Sequence, residues 1–214
     1  MSAMRSPCSR RHLLLTTAAA ILLAGCVAPP RPFTEEFYAP LRVRRDATIG
    51  STVAVFAFAD ERPDAEPRVV LVYEPYNARP RVERSTTTVG EGVARAFARG
   101  LHARGFAVVD ETRRAYDAGA APNARAIVTG RVAEFGAKLA RTGFISGYQQ
   151  HVGIRVAVDV HDAATGRRLT ERTYQRVVEG AMTPAEPLMI LSRVLADVVE
   201  QAIADRELLA ALRS

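Results

Sequence analysis

The sequence predicts an α+β fold, a two-layer sandwich in which two amphipathic helices cover one face of a mixed sheet of about five strands. Three segments lead to this prediction. Residues 53–59 are apolar throughout, as in a central strand that is covered on both faces. Residues 89–105 carry apolar side chains at helical spacing. Residues 152–161 alternate apolar and polar side chains, as in a strand with one buried face.

The first 25 residues have the three parts of a bacterial lipoprotein signal peptide. Three arginines precede an apolar run over residues 13–23, which is shorter than the roughly 20 residues that a membrane span needs. The run closes on four residues that look like a lipobox: Leu23, Ala24, Gly25 and Cys26. We therefore expect a mature chain that begins at Cys26, carries fatty acyl chains such as palmitate there, and is held to a membrane by them.

Removal of this leader changes the cysteine content and the charge. Cys8 leaves with the leader and Cys26 becomes the acyl carrier, so the mature chain has no cysteine pair for a disulfide. Three arginines and no acidic residue leave as well, which lowers the formal charge from +6 to +3. We expect no nucleic-acid partner, because this charge is mild and the arginines are interspersed with acidic residues.

The mature chain divides into a tether and one domain. Residues 26–47 contain four prolines and little periodicity, which is typical of a semi-rigid spacer. Residues 48–214 have the length of a single domain.

The first half of the domain predicts a strand, a helix and a second strand. The apolar strand at 53–59 ends at Asp60, and a short apolar run at 69–73 between two prolines suits an edge strand or a loop. Thr88 and Glu91 fit a capping box that begins the helix, and Gly105 suits the residue that ends it. A strand resumes at 106–109, and the unit predicts a right-handed crossover between parallel strands.

The second half predicts an antiparallel arrangement. A strand over 126–135 precedes the alternating strand, and residues 162–166 form a turn with glycine where φ is positive. Residues 169–178 then return as the hairpin partner. Apolar residues over 188–203 recur three and four apart and predict a last helix on the same face of the sheet, followed by a short apolar turn at 208–212.

Two segments are candidates for contact with a partner. Asp60 and Arg62 follow the end of a central strand, where open α/β sheets place ligands, although the two side chains could instead pair within a turn. The connection over 142–150 places Phe144, Ile145 and Tyr148 on a loop. Apolar side chains on a loop favour a partner surface, or they fold back onto the edge of the sheet.

No motif for catalysis, metal or cofactor binding stands out. His151, Asp159, His161 and Asp162 gather around one strand, but they lack a second ligand motif, and we expect no metal. The sequence also lacks a glycine-rich phosphate loop, a nucleophile elbow and a paired CxxC motif. We expect a protein that is not an enzyme and holds no cofactor.

Several segments, in this order, resemble the YajG-type family of small bacterial lipoproteins. They are the lipobox leader, the proline-rich tether, the strand that ends at 58–62, the helix that runs into 104–108, and the hairpin that ends at 174–180. The family's function is uncharacterised. The topology also resembles auxiliary lipoproteins of ABC-type lipid transport systems and lipopolysaccharide-assembly lipoproteins, which implies an accessory role in the envelope.

We therefore expect a non-catalytic lipoprotein that binds an envelope protein or stabilises an assembly. Val27 rather than aspartate follows the acylated cysteine, and resemblance to lipoproteins of bacteria with two membranes then implies the periplasmic face of the outer membrane. One alternative is an accessory subunit of an ABC-type lipid transporter, which predicts a continuous apolar groove between helices and sheet. The other is an envelope hydrolase, which predicts an acid, a base or a nucleophile clustered in a cleft.

Overall fold

The computed structural model describes residues 39–63, 66–76, 78–118, 123–141, 147–182 and 187–214. In this part of the chain it contains eight strands and three helices. The strands are β1 Thr52–Ala57, β2 Ala59–Asp60, β3 Val69–Glu74, β4 Arg81–Arg84, β5 Ala107–Ala115, β6 Ala126–Arg141, β7 Tyr148–Asp162 and β8 Arg168–Met182. The helices are α1 Val89–Arg104, α2 Pro187–Ala204 and α3 Arg206–Arg213.

Strand β6 organises the sheet because three strands share one of its edges. β1, β2 and β3 pair with successive parts of that edge, all in parallel orientation. The other edge pairs along its whole length with β7, which pairs in turn with β8, both in antiparallel orientation. β5 lies outside β1 and β4 lies outside β3. The sheet is therefore mixed, as predicted, but has eight strands rather than about five.

Helix α1 begins and ends at the predicted residues. The Thr88 hydroxyl accepts a hydrogen bond from the backbone N–H of Glu91 at 3.3 Å. Gly105 has a φ of 122°, and its N–H donates to carbonyls of the last turn. The strands before and after the helix, β1 and β5, run parallel. The predicted parallel orientation of these two strands is thus confirmed, and the right hand of the crossover stays a prediction.

The helices form one layer on one face of the sheet. α1 contacts β1 and β5, α2 contacts β7 and β8, and the two helices contact each other over a single core. α3 is the segment predicted as a short turn. Asp205 caps it and also accepts a hydrogen bond from the hydroxyl of Tyr174 at 2.8 Å. The α+β prediction is confirmed. None of the helices described is both long and apolar enough to cross a bilayer.

Strand β6 extends well beyond its predicted end, as do β5 and β8. β6 continues from Phe135 to Arg141, past a glycine and a lysine that resemble the end of a strand. Gly136 stays in the sheet because it pairs with Gly153 of β7, and Lys138 stays because its ammonium pairs with Glu74 of β3 at 2.9 Å. These pairings join distant segments, so local patterns do not reveal them.

The C-terminal part of the predicted tether lies on the helix layer. The backbone N–H of Ala39 donates to Ser192 Oγ at 2.7 Å, and that of Arg42 donates to Glu200 Oε1 at the same distance. Leu41 and Val43 pack against the core. Residues 1–38, which include the leader, the lipobox and Cys26, lie outside the described residues.

Candidate functional site

A groove of about 650 Å³ lies on the face of the sheet that carries no helix, which we call the open face. It forms where β3 and β4 extend the sheet beside β6 and β7. Val70, Val72 and Val82 provide its apolar wall. Its polar side chains are those of Arg62, Glu66, Glu134, Lys138, His151 and Arg155. We call this depression the open-face groove.

The alternation in β7 places the charged residues on this face. Val152, Ile154 and Val156 are fully buried in the core, so His151 and Arg155, which alternate with them, point the other way. Gly153 stands between these two residues. A Cβ atom at Gly153 would lie 1.9 Å from Glu134 Oε1. The missing side chain therefore gives the Glu134 carboxylate room to reach His151.

His151 lies between two carboxylates. Its Nε2 is 2.8 Å from Glu134 Oε1 and its Nδ1 is 3.0 Å from Glu179 Oε1. A neutral imidazole has one N–H and can donate to only one of them, whereas the imidazolium donates to both. The hydrogen bond to Glu134, and next the one to Glu179, raises the pKa of His151 above its ordinary value.

This geometry predicts a titration that can be measured. We expect the ring of His151 to titrate above the ordinary pKa of about 6.5 when it is followed by NMR. Because the folded-state pKa is the higher one, the cluster stabilises the fold below about pH 6.5, and this contribution is lost as the pH rises through the folded-state pKa. Gly153→Ala should displace Glu134 and lower the pKa of His151, whereas an unchanged titration would show that Glu134 is not the main cause.

Arg155 is the cation of the groove that lacks a carboxylate partner among the described residues. It is exposed, and its register partner on β6 is Glu134. The Glu134 carboxylate, however, is engaged with His151. The other groove cations are paired, Lys138 with Glu74 and Arg62 with Asp60. Arg155 is thus the cation most available to an anionic group of a ligand.

Asp60 and Arg62 form a buried pair behind the groove. The guanidinium donates to both carboxylate oxygens of Asp60 at 2.8 Å. It also donates to the carbonyls of Val69 and Phe135, at 2.8 and 3.0 Å. The Arg62 side chain is 6% exposed. These hydrogen bonds hold the groove wall in place. The ion pair agrees with the alternative interpretation of the sequence, in which Asp60 and Arg62 pair within a turn. Direct contact of the two residues with a partner stays a prediction.

The predicted contact loop is only partly described. Phe144 and Ile145 lie outside the described residues. Tyr148 is the first residue of β7, where it packs against the core and its hydroxyl is hydrogen-bonded to that of Tyr73. The guanidinium of Arg141 lies 5.9 Å from the centre of the Tyr148 ring. Contact of these three predicted residues with a partner remains a prediction.

The other end of the open face carries ion pairs and a small apolar cluster around Phe56. Asp159 lies 3.7 Å from Arg131 and 3.4 Å from Arg168, and its side chain is 10% exposed. The alternation of β7 places Asp159 on the face opposite the core, where these two arginines cover it. His161 packs against the ring of Tyr116. Among the described residues, no three histidine, cysteine or acidic side chains are arranged to hold a metal ion.

The central residues of this site were not predicted as a group. Glu134 and Glu179 lie 17 and 28 positions from His151 and meet it only through the pairing of β6, β7 and β8. The alternation of β7 does place His151, Gly153 and Arg155 together on the open face. The sequence signal that could have indicated the site is therefore the alternating run of His151, Gly153 and Arg155.

Comparisons with known proteins identify the fold. No family model matches the chain, and no curated protein matches it. A solved DUF330 protein from Xanthomonas campestris is similar, with a TM-score of 0.54 and 12% identity over 77% of this chain and 90% of that one. At this identity the likeness shows a shared fold and nothing about function.

Two further solved structures have lower TM-scores. The PelC dodecamer from Paraburkholderia phytofirmans has a TM-score of 0.45 and 18% identity, over 83% of this chain and 94% of that one. Lipoprotein GNA1162 from Neisseria meningitidis has a TM-score of 0.40 and 13% identity, over 71% and 96%. The solved structures that this chain is similar to thus include a DUF330 protein and a bacterial lipoprotein, while the YajG-type resemblance stays a prediction.

Proposed function

We propose that this chain is a non-catalytic lipoprotein of the bacterial envelope that binds a protein partner in the open-face groove. Cys26 would anchor it to the outer membrane on the periplasmic side. The observation that carries the binding role is the groove itself, which combines an apolar wall with Arg155, an exposed cation that has no carboxylate partner among the described residues. The lipobox pattern at 23–26 supports the anchor.

The anchor is tested by Cys26→Ser. We expect this change to move the chain from the membrane fraction to the soluble fraction, because three acyl chains are lost at about 0.8 kcal/mol per buried methylene. Fractionation followed by immunoblotting measures the result. Cys8→Ser is the matched control, since Cys8 lies in the leader and should leave the distribution unchanged. Sedimentation of Cys26→Ser with membranes would contradict the anchor.

The groove has the physical character of a contact surface. Val82 is 39% exposed, beside the half-buried Val72. Apolar surface that borders charged residues is typical of protein interaction sites. The exposed guanidinium of Arg155 adds a group that is enriched at such sites.

Site-directed photo-crosslinking in intact cells tests the binding role. A photoreactive residue at Val82 should form an adduct with an envelope protein, and mass spectrometry would identify it. The matched control is Met189, which is 67% exposed on α2 in the helix layer. An adduct from position 189 but none from position 82 would place the contact surface elsewhere and contradict the proposal.

The lipid-transport alternative has less support. It predicts an apolar groove between the helices and the sheet, whereas a filled core occupies that space in the described residues. The depression lined by Leu41 and Leu195 on the helix layer measures about 10 Å³, too little for a lipid. Recovery of a transporter permease by crosslinking from Val82 would nevertheless favour this alternative.

The hydrolase alternative also has less support. His151 is a histidine in a groove, but each of its ring nitrogens faces a carboxylate and not a nucleophile. The described residues that line the groove include no serine, threonine or cysteine. A nucleophile activated by a histidine must lie within hydrogen-bond reach of it.

A further inference from the structure

We infer that the open-face groove binds an acidic segment of the partner through a carboxylate paired with Arg155, and that His151 controls this site by holding Glu134 away from Arg155. This inference rests on the proposed function, because it names the chemistry of the partner at the same groove. The regulation of this site depends on three side chains of the open face, those of Arg155, Glu134 and His151.

Arg155 and Glu134 are cross-strand neighbours that would ordinarily pair. They are register partners on β7 and β6, and directly opposed residues of opposite charge attract each other. In this structure the carboxylate of Glu134 instead lies over Gly153 and reaches His151. Arg155 is left exposed and without a partner among the described residues. An incoming carboxylate could therefore occupy the position that Glu134 has vacated.

The apolar wall of the groove indicates which side chains lie beside the acidic residue in the bound segment. Val72 and Val82 are register partners on β3 and β4 and face the same depression as Arg155. A segment that fills the groove would place aliphatic side chains against these valines. Charge and apolar surface together therefore select a peptide segment in which an acidic residue lies beside aliphatic ones.

The protonation of His151 decides which partner Glu134 takes. Glu134 and Glu179 face the ring from β6 and β8. Lys138, the register partner of His151, is paired with Glu74 of β3. The imidazolium attracts the Glu134 carboxylate by its charge, whereas a neutral ring offers only a neutral hydrogen bond. With a neutral ring, the positive charge of Arg155, the cross-strand neighbour of Glu134, would attract this carboxylate more strongly, and Glu134 would then neutralise the binding cation.

The direction of the pH effect follows from this exchange. At acidic pH the imidazolium holds Glu134, and Arg155 is free to bind. As the pH rises through the raised pKa of His151, the ring loses the charge that holds Glu134, and this carboxylate competes with that of the partner for Arg155. Binding of an acidic segment should therefore weaken as the pH rises, although the carboxylates of the segment stay ionised throughout this range.

Fluorescence anisotropy with a defined probe tests this inference. The protein is the lipidated chain in nanodiscs, and the probe is a labelled, capped peptide of sequence Gly-Val-Glu-Val-Gly. The matched peptide has Gln in place of Glu. We expect the Glu peptide to bind about tenfold more tightly than the Gln peptide near pH 6, and its advantage to fall about tenfold by pH 9. Equal affinity of the two peptides at every pH would overturn the inference.

Three variants separate the steps. Glu134→Gln should keep tight binding and remove the pH dependence, because no carboxylate can then compete for Arg155. Arg155→Gln should abolish the preference for the Glu peptide. Gly153→Ala should weaken binding at acidic pH, because it displaces Glu134 from His151. An unchanged pH dependence in Glu134→Gln would overturn the role of His151, and an unchanged preference in Arg155→Gln would overturn the role of the arginine.

The two levels of the proposal can fail separately. If Val82 crosslinks to an envelope protein but the peptides bind equally well, the groove is a partner site and only the acidic chemistry is overturned. If Val82 crosslinks to nothing, both proposals are overturned. If it crosslinks to a second copy of this chain, the occupant is another protomer, and the inference of an acidic segment from a different protein is overturned.

Discussion

Replacement of Arg62 by methionine is expected to lower the free energy of unfolding by about 3–5 kcal/mol. The Arg62 side chain is 6% exposed and that of Asp60 is 16% exposed, so the change would leave an almost buried carboxylate without its counter-charge. The carbonyls of Val69 and Phe135 would lose a donor as well. Denaturant-induced unfolding followed by circular dichroism measures the loss.

A neighbouring ion pair provides the control. Arg84 pairs with Glu66 beside the same groove, but the two side chains are 48% and 54% exposed. Exposed pairs contribute little, so Arg84→Met should lower the free energy of unfolding far less than Arg62→Met. The double variant Asp60→Asn with Arg62→Met should recover part of the loss, because it removes the unpaired charge. Equal losses for Arg62→Met and Arg84→Met would refute the structural importance of the buried pair.

Arg62 also connects the stability of the domain with the shape of the groove. Its guanidinium joins the end of β2 to β3 and β6 through Asp60, Val69 and Phe135. These contacts hold the apolar wall against the strand that carries Glu134. A variant that lacks the arginine should therefore lose partner binding in the groove along with stability, even though the side chain itself is almost inaccessible to a partner.

The elements that the sequence predicts well are those with local signals. Helix α1 has its cap at Thr88 and its terminal glycine at Gly105, and both act within one turn of the helix. The hairpin between β7 and β8 turns at Gly166, which has a φ of 69°. In both cases, the residues that determine the conformation are close together along the chain.

The pairing of β6 could not be predicted in the same way. Its one edge accepts β1, β2 and β3 in turn, and this depends on tertiary packing and not on periodicity. β3 was predicted as an edge strand or a loop, yet it lies between β4 and β6. The open-face groove exists because of this pairing, so its apolar wall could not be predicted from the sequence.

The candidate site also combines contacts that are local in sequence with contacts that depend on strand pairing. Asp60 and Arg62 are two positions apart, and their pairing within a turn was foreseen as an alternative. His151 is weighed in the sequence only as a metal ligand together with residues of its own strand, and no metal is expected there. Its actual partners, Glu134 and Glu179, belong to the two adjacent strands. The chemistry of the groove therefore depends on strand register, which an alternating pattern alone leaves open.

Replacement of Gly90 by alanine should lower the free energy of unfolding by about 1–3 kcal/mol. Within a helix, alanine is ordinarily more favourable than glycine by nearly 1 kcal/mol, so helix propensity alone predicts a gain in stability and not a loss. The reason is the close approach of the first turn of α1 to the sheet. A Cβ atom at Gly90 would lie 2.0 Å from the carbonyl oxygen of Phe58, between β1 and β2. Thermal or denaturant unfolding measures the effect.

Two other glycines make the explanation testable by comparison. A Cβ atom at Gly50 would have nothing within 4 Å, so Gly50→Ala should have little effect on packing. One at Gly100 would lie 2.2 Å from the Cδ1 of Ile203 and 2.6 Å from the Cγ1 of Val199, both on α2. Those atoms belong to side chains that can shift, whereas the Phe58 carbonyl belongs to the backbone of the sheet. The loss should therefore be greatest for Gly90, smaller for Gly100 and smallest for Gly50. A different order would show that the contact between α1 and the sheet does not control the packing of the helix.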